Sequence, residues 1–459
     1  MKNLSIIMQA DSYKWGMFLQ MPPGTEYVYS YIESRGGEYD RTVFFGLQAF
    51  IQEVLIVPVT QDDIEEASVF AYLHGVPFNR EGWEYIVNEL KGMLPLSIRA
   101  VPEGTIVNNK NVLATVINTD PKCFWLTSYV ETPILRAVWY GTTVATNSYE
   151  SKQIILEALE ETGSPDQIAY KLNDFGARGV SSLESAAIGG AAHLINFSGS
   201  DNIAGVRFAM QYYGADVVGH SIAASEHSTI TSWGRDHEED AYRNMVTHFG
   251  KPGAMFAVVS DSYDIFAACE MWGTKLKQEV IDSGAMLIVR PDSGNPSDIV
   301  VKCLIALEKN FGSVMNGQGY KVLNNVRVIQ GDGIDHSEIR SILFCMKLAG
   351  FSADNVAFGQ GGALLQSVNR DTFRFAMKCS KVCINGVWSD VVKDPITDPG
   401  KKSKGGFLKL VKSDGNYITV SDTDYDDFYM IENELQLVFS DGKSFNMTTF
   451  DEIRKRSEK

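Results

Sequence analysis

Short apolar runs in the middle of the chain end abruptly in polar residues. The clearest example is 286–289, which ends in the β-branched Ile288 and Val289 and is followed by the turn-forming sequence RPDSGNP. Such a run predicts a buried strand, and the residues after it predict a loop. Apolar residues then recur at helical spacing over 299–307, so we expect a strand–loop–helix unit. Asp292 in that loop is either a working group at a strand end or the cap of the helix.

This unit repeats through residues 165–378. The apolar runs end at polar or glycine positions that are 26 to 40 residues apart: Asp174, Asp201, His227, Asp261, Asp292, Asp332 and Gly361–Gly362. One βα unit needs about 30 residues. Successive units of this kind predict an irregular (β/α) barrel with its working groups at one mouth. A doubly wound open sheet has a similar periodicity and is the alternative.

The flanking segments have a different pattern. Residues 25–34 and 96–117 contain strand-like runs, and two SDG sequences near the C-terminus each separate two short strand-like runs. Turns of this kind predict antiparallel hairpins. We therefore expect a sheet-rich α+β domain made of 1–145 and 379–459, and a barrel-like α/β catalytic domain made of 146–378.

Charge and composition exclude several classes of protein. The chain has 57 acidic and 41 basic side chains, a formal net charge of −16, which argues against nucleic-acid binding. An anionic substrate would have to be met by local positive charge or by a metal ion. The six cysteines show no paired spacing, the N-terminus has no signal-peptide pattern, and no apolar run reaches about 18 residues. These features predict a cytoplasmic protein with reduced thiols and no membrane span.

The strand-end residues indicate an α/β enzyme that acts on a sugar phosphate. Clustered carboxylates repel one another, so the strand-end acids imply a divalent cation, a hydroxyl-rich ligand or a cationic intermediate. Helix caps or ion pairs would explain any single acid equally well. His227 could serve as an acid, a base or a nucleophile, although a lone histidine is more often structural. Arg178 and Arg290 could hold an anionic group.

Glycine-rich and lysine-rich segments add candidate phosphate contacts. GDG (331–333) and GQGGA (359–363) allow backbone amides to approach a phosphate, whereas the chain has no Walker-type or GxGxxG motif. The sequence KDPITDPGKKSKGG (393–406) is either a solvated loop or a clamp for a polyphosphate. These patterns alone do not name the reaction.

Longer motifs resemble the nicotinamide phosphoribosyltransferase family. They run in order from about residue 9 to the C-terminus: DSYK (11–14), YSYIESR (29–35), DFGARGVSS (174–182), SEHSTIT (225–231), SDSYDI (260–265), IVRPDSGNP (288–296), VIQGDGID (328–335), FGQGGALLQ (358–366), KDPITDPGKKSKGG (393–406) and DEIRKRSEK (451–459). The resemblance implies a homodimeric type II phosphoribosyltransferase with an irregular barrel and a second α+β domain. Such an enzyme joins nicotinamide to phosphoribosyl pyrophosphate and releases nicotinamide mononucleotide and pyrophosphate.

The resemblance also implies roles for the matching residues. Phe175 and, across the dimer interface, Tyr13 would stack on the nicotinamide ring. Asp201 would accept a hydrogen bond from the carboxamide and disfavour a carboxylate, and Arg290 would contact the carboxamide and the ribose. The remaining positions would serve the phosphoribosyl and phosphate groups: Asp292, Asp261, Arg178, Gly331, Asp332, Gly361, Gly362, Arg35, Arg370, Lys378, Lys393 and Lys401.

His227, Asp261 and Asp292 are the catalytic residues that the resemblance implies. ATP, as a co-substrate, would phosphorylate His227, and Mg²⁺ would be held mainly through pyrophosphate, near the two acids. Two positions depart from the family pattern, because Ala376 replaces a serine and Ala177 replaces a bulkier residue. A nicotinate-specific transferase and a catalytically silent dimer that binds pyridine nucleotides are the rival hypotheses.

Overall fold

The computed structural model describes residues 4–397, 402–425 and 427–458. The chain forms two compact units. The first comprises Met1–Thr146, Met210–Ala215 and Asn369–Lys459, and the second comprises Asn147–Ala209 and Asp216–Val368. Among the residues described, no helix is both long and apolar enough to cross a membrane.

The strands, in chain order, are β1 (Thr25–Glu33), β2 (Arg41–Val43), β3 (Leu96–Ala100), β4 (Ile106–Asn108), β5 (Val112–Asn118), β6 (Leu172–Asp174), β7 (Gly199–Ser200), β8 (Ala223–Ala224), β9 (Met255–Val259), β10 (Met286–Arg290), β11 (Ser313–Met315), β12 (Lys321–Leu323), β13 (Val326–Gln330), β14 (Val356–Gln360), β15 (Ala376–Ile384), β16 (Val387–Asp390), β17 (Leu408–Ser413), β18 (Asn416–Ser421), β19 (Gln436–Ser440) and β20 (Lys443–Ser444).

The α-helices are α1 (Leu47–Phe50), α2 (Gln61–His74), α3 (Arg80–Glu89), α4 (Leu126–Tyr129), α5 (Glu131–Thr162), α6 (Leu183–Leu194), α7 (Ile203–Tyr213), α8 (His227–Thr231), α9 (Glu238–Phe249), α10 (Ile265–Thr274), α11 (Lys277–Ser283), α12 (Pro296–Phe311), α13 (His336–Leu348), α14 (Gly362–Leu365) and α15 (Phe450–Ser457).

Seven parallel strands of the second unit form a curled sheet in the order β7-β6-β14-β13-β10-β9-β8. Its last strand in the chain, β14, pairs with its first, β6. An isolated bridge joins Gly199 to His220 between β7 and β8. In a doubly wound sheet the first strand lies in the middle and the last at an edge. The pairing of β14 with β6 therefore excludes the open sheet, and the predicted irregular barrel is confirmed.

Side chains on the barrel strands alternate between its two faces. The outward residues pack against the helices in one large apolar core. The inward residues Ala257, Ile288 and Ile329 form a small separate cluster, against which Phe175 and Ala357 pack. Because inward positions recur every second residue, the residues that follow this cluster at the strand ends project into the mouth of the barrel.

The first unit contains an antiparallel sheet in the order β16-β15-β1-β5-β3-β19-β20. Strands from both ends of the chain share it: β1, β5 and β3 lie in the middle, and the C-terminal strands flank them, since β15 pairs with β1 and β19 pairs with β3. In each SDG turn the Asp and the Gly both have positive φ, the conformation that a two-residue hairpin turn requires. The additional antiparallel sheet that was expected from the flanking segments is therefore present.

Three details differ from the expectation. Residues Met210–Ala215, expected with the barrel, cluster with the first unit. Residues 369–378, expected with the barrel, belong to the first unit because β15 begins at Ala376 and pairs with β1. The apolar run before Asp201 is mostly not strand, because α6 continues to Leu194 and β7 has only two residues.

Candidate active site

Three successive strand-to-helix loops of the barrel share one spacing. After β9, β10 and β13, an acid follows the last strand residue by two positions, and the helix N-cap follows the acid by three. The N-caps, whose side chains accept backbone N–H groups, are Asp264, Asn295 and Asp335. Asp292 is therefore not the cap of α12, and that alternative is wrong. The strand-end acids Asp261, Asp292 and Asp332 are left for another role.

His227 lies beside two of these acids. Its Nε2 is 3.4 Å from Oδ2 of Asp292 and 3.6 Å from Oδ1 of Asp261, and its Nδ1 is 3.2 Å from Oγ of Ser262. The loop that carries the histidine is fixed to β9, because Ser225 donates its N–H to the carbonyl of Ala257 and accepts the N–H of Val259. The carboxyl ends of β8, β9 and β10 thus bring a histidine together with two carboxylates.

Asp261 is the most enclosed member of this cluster. Its side chain is 5% exposed, and its Oδ2 accepts the N–H of Asp292 at 3.0 Å and the O–H of Ser293 at 2.5 Å. Its Oδ1 is buried and has no hydrogen-bond partner among the described residues. A buried carboxylate oxygen without a donor is unfavourable, so Oδ1 is the atom that a cation or a protonated group would stabilise.

Arg290 orients Asp292 and borders an aromatic ring. Its Nη2 and Nε donate to Oδ1 of Asp292 at 2.5 Å and 3.1 Å. Its guanidinium carbon is 5.8 Å from the centroid of the Phe175 ring. The arginine therefore occupies one oxygen of Asp292 and leaves Oδ2 facing His227, while it places positive charge next to an aromatic face.

The Phe175 ring occupies space that two inward-facing glycines leave open. A Cβ atom on Gly359 would lie 2.0 Å from Cε2 of the ring, and one on Gly331 would lie 3.1 Å from the same atom. The N–H of Phe175 donates to the carbonyl of Gln360 at 3.0 Å, which extends the pairing of β6 with β14. The ring is half-buried, so it provides an aromatic surface at the barrel mouth on which a flat ligand can stack.

Asp201 follows the neighbouring strand β7 and is exposed. Its Oδ1 accepts the O–H of Ser221 at 2.5 Å, and its N–H donates to the carbonyl of Asp174 at 3.1 Å. Asp174 is fully buried, and its carboxylate accepts the N–H of Gly176 at 2.7 Å and Nδ2 of Asn202 at 2.8 Å. Burial raises the pKa of Asp174 to about 6, although both hydrogen bonds oppose the rise.

Gly361 and Gly362 lie against the turn that carries Arg178. A Cβ on Gly361 would be 3.6 Å from the carbonyl oxygen of Phe175, and one on Gly179 would be 3.8 Å from the amide nitrogen of Gly362. Arg178 itself is exposed. Closely approaching backbone and an exposed guanidinium suit an anionic ligand such as phosphate. The structure also leaves Asp332 exposed, directly after Gly331.

Several predicted site residues belong to the first unit. Tyr13 is 61% exposed, Lys393 is exposed, and Arg370 is exposed and pairs with Asp371 at 2.6 Å. Lys401 lies outside the described residues. The structure therefore does not gather all the predicted residues into one unit.

A cationic cluster in the first unit is centred on Lys378. Burial lowers the pKa of this lysine. The positive charges of Arg35, Lys14 and Lys393 lower it further, whereas the negative charge of Glu131 raises it. Nε of Arg35 donates to Glu33 at 3.0 Å, whereas its Nη2 is buried without a hydrogen-bond partner among the described residues. Neighbouring positive charges that lower the pKa of a lysine in this way would be stabilised by a bound anion.

The barrel mouth offers two carboxylates to a divalent cation, which is not a complete coordination sphere. In the ranges described above, no group of three or more His, Cys, Asp or Glu side chains is arranged to hold a metal ion. Oδ1 of Asp261 and Oδ2 of Asp292 both face His227, and the first has no other partner. The residues therefore fit Mg²⁺ only if a ligand supplies most of the oxygen atoms.

Sequence reasoning missed several residues of this site. Ser262 and Ser293 each follow a strand-end acid directly and contact the His227–Asp261–Asp292 cluster. Asn202 was also missed, as was the contact of Gly359 with the Phe175 ring. A signal for the loops was present, because DSYD, DSGN and DGID share the spacing of an acid followed three residues later by a capping Asp or Asn.

Comparison with known families identifies the chain's relatives. Residues 170–443 match the model of the nicotinate phosphoribosyltransferase (NAPRTase) family, and residues 5–98 match the N-terminal domain of nicotinamide phosphoribosyltransferase. A nicotinamide phosphoribosyltransferase of Xanthomonas campestris pv. campestris (strain 8004) is 56% identical over 411 residues, which cover 89% of this chain and 88% of the relative. One from Acinetobacter baylyi is 33% identical, with coverage of 97% and 95%.

Solved structures share the fold at low sequence identity. A nicotinate-nucleotide pyrophosphorylase from Pyrococcus furiosus superposes with a TM-score of 0.63 at 14% identity, covering 100% of this chain and 96% of that one. Human nicotinic acid phosphoribosyltransferase gives a TM-score of 0.56 at 16% identity, covering 98% and 93%. The fold is that of type II phosphoribosyltransferases.

Proposed function

The chain belongs to the nicotinamide phosphoribosyltransferase family, and we propose that it makes nicotinamide mononucleotide and pyrophosphate from nicotinamide and phosphoribosyl pyrophosphate, a step of NAD salvage. One observation carries the proposal. The mouth of the barrel places the Phe175 ring beside Arg290, and Arg290 beside the acids that flank His227. A flat base and a sugar that becomes positively charged can therefore be held side by side.

The base would bind between Phe175 and a carboxylate. Nicotinamide stacks on the Phe175 ring, and Asp201 accepts a hydrogen bond from its carboxamide NH₂. Among the described residues, Ser221 donates to Oδ1 of Asp201, and Oδ2 of Asp201 accepts no hydrogen bond from them. Nicotinate would bring a second carboxylate to the same place, and the repulsion between the two charges would disfavour it.

The transfer breaks the bond between C1 of the ribose and the pyrophosphate oxygen, and the electron pair leaves with pyrophosphate. The lone pair of the pyridine nitrogen forms the new C–N bond. Positive charge develops on the ribosyl group between these events, and the carboxylates of Asp292 and Asp261 stabilise it. Because Arg290 holds Oδ1 of Asp292, this carboxylate is oriented before the substrate arrives.

The leaving group would be held by positive charge and by backbone amides. Arg178 with Gly361 and Gly362 serves the phosphate groups at the barrel mouth. We also assign polyphosphate binding to Arg35, Arg370, Lys378, Lys393 and Lys401. Mg²⁺, held by Asp261, Asp292 and the pyrophosphate oxygens, would neutralise charge on the leaving group.

We extend the proposal to phosphorylation of His227 by ATP. The side chain is 45% exposed, so a nucleotide can reach it, and Ser262 holds its Nδ1. Transfer forms an N–P bond to the imidazole and breaks the bond between the β- and γ-phosphates, with ADP as the leaving group. The phosphoryl group adds negative charge beside the pyrophosphate position, and water later removes it.

The proposal includes a homodimer in which Tyr13 stacks on the base bound by the partner subunit. Tyr13 is exposed on the first unit. Oγ of the preceding residue, Ser12, is 2.7 Å from Nε2 of His74. His74 ends α2, on which Tyr72 and Leu73 are also largely exposed. An exposed apolar surface of this kind is typical of a protein–protein contact.

We also place the protein in the cytoplasm, because its six cysteines are free.

A nicotinate phosphoribosyltransferase is the second candidate, because the family model that matches 170–443 bears that description. The test is product formation from phosphoribosyl pyrophosphate and Mg²⁺ with nicotinamide or with nicotinate, in the presence and absence of ATP. We expect pyrophosphate and nicotinamide mononucleotide in equal amounts, and loss of ATP stimulation in His227→Ala. Turnover with nicotinate alone would establish the second candidate. If no pyrophosphate is released with either base, the protein is a catalytically silent dimer that binds pyridine nucleotides.

A further inference from the structure

Asp174 and Asn202 form a buried pair that the proposed reaction does not use. Asp174 is 0% exposed and Asn202 is 1% exposed, and Nδ2 of Asn202 donates to Oδ2 of Asp174 at 2.8 Å. Each is the chain neighbour of a residue assigned to the base. Asp174 immediately precedes Phe175, and Asn202 immediately follows Asp201.

The pair lies where the strand pairing between β6 and β7 ends. β7 has two residues, and its register with β6 stops at Asp174–Ser200. Beyond that point, the carbonyl of Asp174 accepts the N–H of Asp201 at 3.1 Å, and Oδ1 of Asp174 accepts the N–H of Gly176 at 2.7 Å. The residue after Phe175 and the residue after Asp201, Gly176 and Asn202, thus both donate to the Asp174 carboxylate.

Asn202 anchors the same group to a helix. Its Nδ2 also donates to the carbonyl of Ala186 in α6 at 2.8 Å, and its Oδ1 accepts the N–H of Gly205 in α7 at 3.3 Å. Both oxygens of Asp174 and both groups of the Asn202 amide are thus engaged within the protein. Neither side chain is available to touch a substrate, so any effect on the substrate must pass through Phe175 and Asp201.

We propose that Asp174 and Asn202 are positioning residues that fix Asp201 relative to Phe175, and that this fixed geometry sets the preference for a carboxamide over a carboxylate on the pyridine ring. The inference rests on the proposed function. A hydrogen bond from a carboxamide that lies in the ring plane requires the Asp201 carboxylate at a defined height above the Phe175 ring. Asp201 is exposed and the strand before it is short, so that height depends on its backbone bond to the Asp174 carbonyl and on the buried side-chain pair next to it.

Asp174→Asn tests the pair with little change in shape. The Asp174 carboxylate accepts from two donors, Nδ2 of Asn202 and the N–H of Gly176. The amide of Asn has only one acceptor oxygen, so one of these donors would face an NH₂ group and its hydrogen bond would be lost. We expect KM for nicotinamide to rise about tenfold, and the nicotinamide-to-nicotinate ratio of kcat/KM to fall about tenfold. KM for phosphoribosyl pyrophosphate should stay unchanged, because the barrel acids and glycines are not moved.

Asp174→Asn and Asn202→Ser weaken the same buried contact. If they act through it, the double variant should change the nicotinamide-to-nicotinate ratio of kcat/KM little more than either single variant does, a result that two independent changes would not give. Should Asp174→Asn fail to fold, Asn202→Ser, whose shorter side chain cannot reach Asp174, is expected to shift KM and the ratio in the same direction.

Asp354→Asn is the matched control. Asp354 is also buried, at 6% exposure, and accepts the N–H and O–H of Ser164 at 2.9 Å and 3.3 Å, at the opposite end of β14. It should lower the melting temperature and leave the ratio unchanged. A wild-type ratio and KM in Asp174→Asn, or additive effects of the two changes in the double variant, would overturn the inference. Absence of nicotinamide mononucleotide with the wild-type protein would instead refute the proposed function.

Discussion

Gly359→Ala should displace the aromatic surface on which the base stacks. The new Cβ would lie 2.0 Å from Cε2, 2.1 Å from Cδ2 and 2.9 Å from Cζ of Phe175. Carbon atoms in contact are about 3.5–4.0 Å apart, so the ring edge must retreat by about 1.5 Å. A retreat away from β14 would carry the ring toward the base that we propose to stack on it.

Loss of a well-formed aromatic stack and of its apolar contact should weaken base binding by about 2 kcal/mol, or about 30-fold in KM for nicotinamide. KM for phosphoribosyl pyrophosphate should change much less. Gly331→Ala, whose Cβ would be 3.1 Å from the ring, should give a smaller effect. Gly317→Ala is the matched control, because no atom lies within 4 Å of its added Cβ.

The decisive comparison is made in a chain that lacks the ring. If the clash with Phe175 is the cause, Gly359→Ala should have almost no further effect on KM for nicotinamide in a Phe175→Ala background. Equal effects of Gly359→Ala in the two backgrounds would refute the reasoning, as would a wild-type KM and melting temperature in the single variant.

Four further outcomes are expected. Asp292→Ala should lower kcat by about a thousandfold and change KM for nicotinamide little, because the carboxylate acts on the ribosyl cation. If Asp292 only maintained the fold, steady-state kinetics would show that turnover and nicotinamide binding are weakened to a comparable extent. The pKa of Asp174 is about 6 in the folded protein, above the ordinary 3.8, so the folded state binds the additional proton between these values. The free energy of unfolding of wild type minus that of Asp174→Asn should therefore fall as pH rises from 3.8 to about 6, as urea titrations at a series of pH values can measure. Lys171 is buried and its Nζ donates to three backbone carbonyls at 3.0 to 3.2 Å, so Lys171→Met should lower the free energy of unfolding by about 3 kcal/mol without changing the nicotinamide-to-nicotinate ratio. Mixing and refolding inactive Tyr13→Ala with inactive Asp292→Ala should restore activity through heterodimers with one intact site; no recovery in the mixture would contradict the shared site.

The barrel could be predicted from sequence because its signal is local and repeated. Runs such as 286–289 are buried on both faces and end in turn-forming residues, and this pattern survives without knowledge of the neighbours. The short strands β7 and β8 carry almost no such signal. Each has two residues, and their place in the sheet depends on pairing with β6 and β9.

The site could be predicted where a residue type is rare at its position, as for His227 and the strand-end acids. It could not be predicted where the function of a residue depends on an atom that it lacks. Gly359 matters because a Cβ would enter the Phe175 ring, and no sequence pattern distinguishes it from a glycine in an ordinary turn. The pairing of Asp174 with Asn202 joins residues 28 positions apart, so it too required the fold.

The central claim is that the barrel mouth transfers a ribosyl group to nicotinamide. The most direct measurement is a competition in which equal amounts of labelled nicotinamide and nicotinate share one limiting pool of phosphoribosyl pyrophosphate with Mg²⁺. We predict that wild-type protein converts almost only nicotinamide, with one pyrophosphate released per nucleotide formed, and that Asp201→Ser reduces this preference. Conversion of nicotinate in preference to nicotinamide by the wild-type protein would contradict the account.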